Sequence, residues 1–158
     1  FLFKYNPYVK TLSLPLTSLI ISHFALSQKQ HIFNSQKNCN KIFMPTPLHK
    51  NKEKSRGFNQ SALVAQILSA YYNLPLQENN LIKIKSTQSQ TTFNKQQRQK
   101  NIANAFAIKN PDLISNKTIF LIDDVFTTGS TMEECAKILK ANGASKVFGI
   151  VIARENLS

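Results

Sequence analysis

The 158-residue chain is predicted to fold as an α/β unit, a mostly parallel, twisted sheet flanked by helices. Three observations predict this. Short apolar runs at 41–44, 119–122 and 146–153 are rich in the bulky and β-branched residues that buried parallel strands favour. Between them lie segments with the apolar spacing of helices. The clearest stretch, 118–143, passes from an apolar strand through a short polar turn into a helix, the connection a parallel sheet requires.

The elements follow in order. Residues 1–36 mix aromatic and apolar side chains (Phe1, Phe3, Tyr5, Tyr8, Leu12, Leu16, Ile20, Ile21, Phe24) with polar ones. They are read as a helical cap segment, with one helix before Pro15 and a second over 16–33. Residues 37–158 are read as the main domain, within one globular unit. Lys41-Ile42-Phe43-Met44 is a buried strand, and Pro45 and Pro47 stiffen the segment that follows. A mobile basic loop is expected over Lys50, Lys52, Lys54 and Arg56, with a tight turn at Gly57. Asn59 is a good N-cap for a helix whose apolar side carries Leu63, Ile67, Leu68 and Tyr71, ending at Asn73 and Pro75. Residues 81–85 alternate apolar and basic, as a half-buried strand does. Residues 86–100 lack apolar periodicity and read as a long exposed loop with a short helix near Gln96. A strand over 105–109, a turn at Pro111-Asp112 and a final buried strand over 146–153 complete the chain.

The central stretch carries the chemistry. After Ile119–Ile122 come two adjacent carboxylates, Asp123 and Asp124, then a hydroxyl-rich turn, Thr127-Thr128-Gly129-Ser130-Thr131. The helix that starts there places Met132, Cys135, Ala136 and Leu139 on one face. Ser130 with Glu133, and Thr131 with Glu134, have capping-box spacing, and Gly143 can close the helix. Backbone N–H groups, hydroxyls and a helix N-terminus together suit a phosphate. Adjacent carboxylates suit sugar hydroxyls or a hard cation such as Mg²⁺. Acids at a strand end also cap loops, and such a turn also serves as an N-cap. Their contiguity at the carboxyl end of a strand, where open α/β sheets bind ligands, favours a phosphorylated-sugar site.

Composition bounds the partners. The formal net charge is +12, with no Asp or Glu before Glu53 and none between Glu78 and Asp112. Such a field draws polyanions or phosphorylated small molecules, and is equally that of a lysine-rich solvated surface. Only Arg56, Arg98 and Arg154 are arginines, whose planar fork grips phosphate as lysine does not. Cys39 and Cys135 form no C-x-x-C pair, and His23, His31 and His49 have no metal-ligand spacing; isolated cysteines suit a reducing cytoplasm. The apolar stretch 12–26 contains Pro15 and His23 and is too short to span a bilayer, so no membrane insertion is expected. Phe1 suggests a chain lacking its true beginning. Glycines stand only at 57, 129, 143 and 149, which excludes the dinucleotide fingerprint and the P-loop.

The run LIDDVFTTGST, at 121–131, resembles the phosphoribosyl pyrophosphate (PRPP) motif of type I phosphoribosyltransferases. The resemblance implies that fold. It implies that Asp123 and Asp124 take the ribose 2′ and 3′ hydroxyls, with Mg²⁺, and that Thr127, Thr128, Gly129, Ser130 and Thr131 take the 5′-phosphate. PTPLHKNKEKSRGFNQSALVA, from Pro45, resembles the P-x-P-L … R-G-F-N-Q signature of the competence protein ComF branch. This implies pyrophosphate contacts from Pro47, Leu48, Lys50 and Arg56. Thr87, Gln90, Phe93, Arg98 and Asn101, followed by Ala105-Phe106, resemble the branch's T-x-x-Q … R-x-x-N … A-F pattern. By that resemblance Arg98 reaches the leaving pyrophosphate from a loop that closes over PRPP.

The implied activity is phosphoribosyl transfer, with an oxocarbenium-like transition state that rests on positioning and on neutralising the leaving group. Arg56, Arg98 and nearby lysines would supply that charge. The alternative is a non-catalytic PRPP-sensing or single-stranded-DNA-handling module, with competence proteins as partners. Two departures matter. Some purine-salvage relatives carry a carboxylate where Thr127 stands, and threonine is no general base at neutral pH. The four-cysteine zinc segment of many ComF relatives is absent from this sequence.

Overall fold

The structure, a computed structural model, describes residues 9–33, 40–87 and 95–154. The central sheet has three parallel strands in the order β1-β4-β5: β1 Lys41–Pro45, β4 Thr118–Phe126 and β5 Lys146–Arg154. The register pairs Pro45 with Ile122, and Phe126 with Arg154. A separate antiparallel pair joins β2 (Leu81–Lys83) to β3 (Phe106–Ile108). Helices α1 (Val9–Leu26) and α3 (Gln60–Tyr72) cover one face. On the other, α5 (Ser130–Ala141) packs with β3 and α4 (Lys95–Ile102). Alternation along β4 divides the core. Ile119 and Leu121 join Met44, Cys135 and Leu139 on the α5 side, while Phe120 and Ile122 join Phe43, Val64 and Leu68 on the α3 side.

Several expectations change. Helix α1 runs through Pro15 without a break, ends at Leu26 and is followed by a short 3-10 turn, Lys29–Ile32. Proline withholds one N–H from the helix, but packing on α3 and β5 holds the helix across it. The basic segment is a helix, α2 (Lys50–Arg56), not a mobile loop. It has no buried side chain, so no apolar periodicity announced it. His49 caps its start by accepting from Asn51 N, and Gly57 (φ 75°) closes its end. Helix α3 is capped by Asn59 as expected, but its buried face is Val64, Ala65, Leu68 and Tyr72. Tyr71 is 57% exposed, because the face is turned by one residue toward the aromatic side chains beneath it. The strand expected over 81–85 stops at Lys83, leaving Ile84 exposed. Strand β5 is not buried throughout. It is the sheet's edge among the described residues, and Phe148 is 43% exposed. Gly149 packs closely there: a Cβ would stand 2.6 Å from Met132 Sδ of α5, so that side chain would have to shift.

The segment preceding β1 belongs to the core through Phe33, which is 1% exposed. Its ring stacks on Tyr72 at 4.1 Å and meets Phe120 at 4.8 Å and Phe24 at 4.9 Å. Aromatic contacts of this kind add to the area they bury. Phe33→Ala is expected to cost about 3–5 kcal/mol, read from urea denaturation. A loss under about 1 kcal/mol would show that the α1 segment folds apart from the sheet.

Candidate functional site

The site forms where β1, β4 and α3 converge. Strand β4 runs on through both acids to Phe126, so the carboxylates leave the sheet itself. Asp123 is buried, 8% exposed. Thr46, the residue after β1, donates its hydroxyl to Asp123 Oδ1 at 2.7 Å. The Asp124 N–H donates to the same oxygen at 3.0 Å, and the Ser61 hydroxyl of α3 lies 3.5 Å from it. Asn59 locks this corner. Its Oδ1 accepts from Ser61 N at 3.1 Å and its Nδ2 donates to the Thr46 carbonyl at 2.9 Å. Burial, then the neighbouring Asp124 charge, push the Asp123 pKa up to about 7, against the hydrogen bonds from Thr46 and the Asp124 backbone. Asp124 is half-buried and accepts from Val125 N at 2.8 Å.

The hydroxyl-rich turn follows at once. Thr127, Thr128 and Gly129 connect β4 to α5, and Ser130 and Thr131 form the helix's first turn. Neither expected capping box forms. Gly129 holds the N-cap in the left-handed region (φ 79°) with no side-chain cap, and its carbonyl accepts from Glu133 N at 2.9 Å. The glutamates are drawn elsewhere. Glu134 Oε1 accepts from Asn104 N at 2.8 Å, and Glu133 Oε2 from Gln99 Nε2 of α4 at 3.4 Å. The first-turn N–H groups are thereby left without glutamate or hydroxyl caps, as a phosphate site needs. Thr128 and Ser130 hydroxyls lie 2.9 Å apart.

Other predicted residues divide. Pro47 and Leu48 are half-buried in the extended segment joining β1 to α2; Lys50 is exposed at the start of α2 and Arg56 half-buried at its end. Arg98 lies on α4, which packs on α5; its side chain, with Gln90 and Phe93, lies outside the described residues. Cys39 also lies outside them, and burial pushes the Cys135 thiol up, so it is an inert core group.

Three site residues escaped the sequence reading. Thr46 is the variable residue between two prolines, and Ser61 follows a cap residue; only the fold turns both toward Asp123. The third is Lys83 at the end of β2. Its Nζ donates to Thr87 Oγ1 at 2.7 Å and lies 5.5 Å from the Phe106 ring centroid. Burial, then the charge of Lys52 on α2, pull its pKa below the ordinary lysine range, with Asp123 opposing. Lys83 thus feels the charges of Lys52 and Asp123 as well as its own burial. Its alternation with Ile82 and Ile84 was the one available signal.

Two consequences follow for stability. A carboxyl whose folded pKa is raised from 3.8 to about 7 binds more protons folded than unfolded. Its contribution is therefore full below about pH 4 and lost as pH rises through about 7. The melting temperature should carry a decline across that window that Asp123→Asn removes; parallel curves for the two proteins would refute the burial argument. At Gly129 a Cβ would stand 2.7 Å from Phe126 Cζ, on a left-handed backbone. Gly129→Ala should lower stability by about 1–2 kcal/mol in chemical denaturation.

Comparison with known proteins identifies the domain and its fold. The family model for the phosphoribosyl transferase domain matches residues 55–157. Competence protein F of Haemophilus influenzae is 32% identical over 105 residues, covering 66% of this chain and 46% of that protein. Competence protein ComFC of Bacillus subtilis is 31% identical over 116 residues, covering 72% and 45%. DNA utilization protein YhgH of Escherichia coli K12 is 35% identical over 101 residues, covering 64% and 44%. The chain thus spans about half the length of these relatives. A hypoxanthine phosphoribosyltransferase from Staphylococcus aureus shares the fold, with a TM-score of 0.56 at 14% identity over 90% of this chain and 65% of that one. With a domain match over most of the chain and relatives of this kind, the chain belongs to the phosphoribosyl transferase domain family, in its ComF branch.

Proposed function

We propose that the chain binds PRPP with Mg²⁺ and transfers its phosphoribosyl group to an acceptor, in a cytoplasmic role associated with natural competence. The observation that carries this reading is the junction of the paired acids at the end of β4 with the uncapped, hydroxyl-rich turn opening α5. The names of the relatives support the competence association. In this reading Asp123 and Asp124 hold the ribose hydroxyls, while Thr127, Thr128, Gly129, Ser130 and Thr131 hold the 5′-phosphate. Pro47 and Leu48 shape the wall beside the pyrophosphate, and Lys50, Arg56, Arg98 and Lys83 oppose its charge.

The residues present suit Mg²⁺. Asp123 and Asp124 are hard oxygen donors on adjacent residues, and among the described residues no cluster of three or more His, Cys, Asp or Glu could hold a metal. A pair of carboxylates matches an ion that takes its remaining ligands from substrate phosphate oxygens and water. When bound, the ion would neutralise negative charge on the pyrophosphate. The chain's own part is to fix the ribose, exclude water around C1 and hold cations where the leaving group departs.

The alternative, PRPP sensing or single-stranded-DNA handling without turnover, draws on the net charge of +12 and on the relatives' names. Among the described residues no helix is long and apolar enough to cross a membrane.

Calorimetric titration with PRPP and Mg²⁺ tests the main reading. Saturable binding is expected, weakened at least about tenfold, or about 1.4 kcal/mol, by Asp124→Asn. Folded wild-type protein giving no heat would sink it. A single-stranded-DNA affinity that falls steeply with salt, without pyrophosphate release from PRPP, would favour the alternative.

A further inference from the structure

Beside Asp124, on the side of β4 facing α1 and α3, the structure holds a cavity of about 90 Å³. Leu16 of α1, Leu63 and Val64 of α3, Val125 of β4 and Ala153 of β5 line it beside the polar Ser13 and Gln60, and Asp124 is the one ionisable residue in its wall. Val64 is buried and Leu16 half-buried. The cavity is therefore roofed by α1 and floored by the ends of β4 and β5. It borders Asp124, assigned above to the ribose, on the α3 face of the sheet.

We propose that this cavity is the acceptor subsite, and that it takes a neutral molecule no larger than a single ring, with an N–H directed at Asp124. The inference rests on the PRPP reading and names the substrate class for it. Three features of the cavity select the ligand. Its wall is mainly aliphatic, which favours a ring with little polar edge. Its single carboxylate disfavours anions and rewards one N–H donor. Its volume lies below that of an apolar cavity of roughly 150 Å³ that holds benzene. On that volume a five-membered ring is the largest ligand expected to enter, and a purine bicycle is expected to be excluded. The fold is shared with a hypoxanthine enzyme at 14% identity, but the space beside Asp124 is not cut for that substrate.

The transfer balances on this placement. A ring nitrogen's lone pair forms the bond to ribose C1 as the C1–O bond breaks. The electron pair of that bond leaves on pyrophosphate, and the displaced N–H proton passes to the Asp124 carboxylate that it faces and from there to water.

Pyrazole and adenine serve as one-ring and two-ring probes, read by saturation-transfer NMR with PRPP and Mg²⁺ present; calorimetry follows PRPP itself. Pyrazole is expected to bind wild-type protein and adenine not. Ala153→Leu, at an exposed position on the cavity rim, should weaken pyrazole at least about tenfold while PRPP affinity stays within about twofold. Leu16→Ala, which enlarges the roof, should admit adenine. Adenine binding wild type as well as pyrazole does, or pyrazole unaffected by Ala153→Leu, overturns the proposal. PRPP binding without pyrazole binding fails the cavity reading alone. Pyrazole binding without PRPP binding fails the sugar-phosphate reading, and with it the cavity's role as an acceptor site.

Discussion

The short hydrogen bond from Thr46 to Asp123 is the constraint on which the rest of this structure depends. It joins the end of β1 to the end of β4, and Asn59 extends the joint to the first turn of α3. A buried carboxylate is costly without partners. Here its partners come from three separate elements, so the acid can be buried only when all three are in place. The same corner then fixes where Asp124 emerges and where the turn into α5 begins. Fold and site are thus held by one set of contacts.

The electrostatics of the site follow from that corner. Burial disfavours the charged form of Asp123, and the adjacent Asp124 carboxylate adds repulsion, so its pKa is pushed up to about 7. Two of the chain's lysines differ in character. Lys83 is half-buried and held by Thr87 and the Phe106 ring, whereas Lys50 stands in solvent on α2. A lysine fixed in this way loses less entropy on meeting an anion than a solvated one does. The +12 charge acts over longer range and draws phosphorylated ligands inward.

The two faces of the sheet have different tasks. The α5 side packs its helix closely, with Met132 against Gly149, and it carries the hydroxyl-rich turn. The α3 side is built from aromatic rings centred on Phe33, and α1 spreads over its upper part. The space left beneath α1 is aliphatic and small. The chemistry of the sugar and the shape of the neighbouring space therefore come from different layers.

Features carried by contiguous residues were legible in the chain. The β4 strand, its two acids, the hydroxyl turn and the face of α5 bearing Met132, Cys135 and Leu139 lie within one stretch, where periodicity and residue type act together. The Asn59 cap and the left-handed closures at Gly57 and Gly143 are equally local. What depends on which surfaces meet was not. Helix α2 has no fully buried side chain, so it had no apolar pattern to read, and α1 crosses Pro15 because α3 and β5 support it. Glu133 and Glu134 leave their capping boxes for Gln99 and Asn104, partners 30 or more residues away. Thr46 and Ser61 acquire their roles only through the strand and helix that turn them toward Asp123. Local backbone preference and side-chain chemistry are properties of neighbouring residues and determined the motif; burial, pairing and the cavity beside Asp124 are properties of distant segments in contact, and tertiary packing decided them.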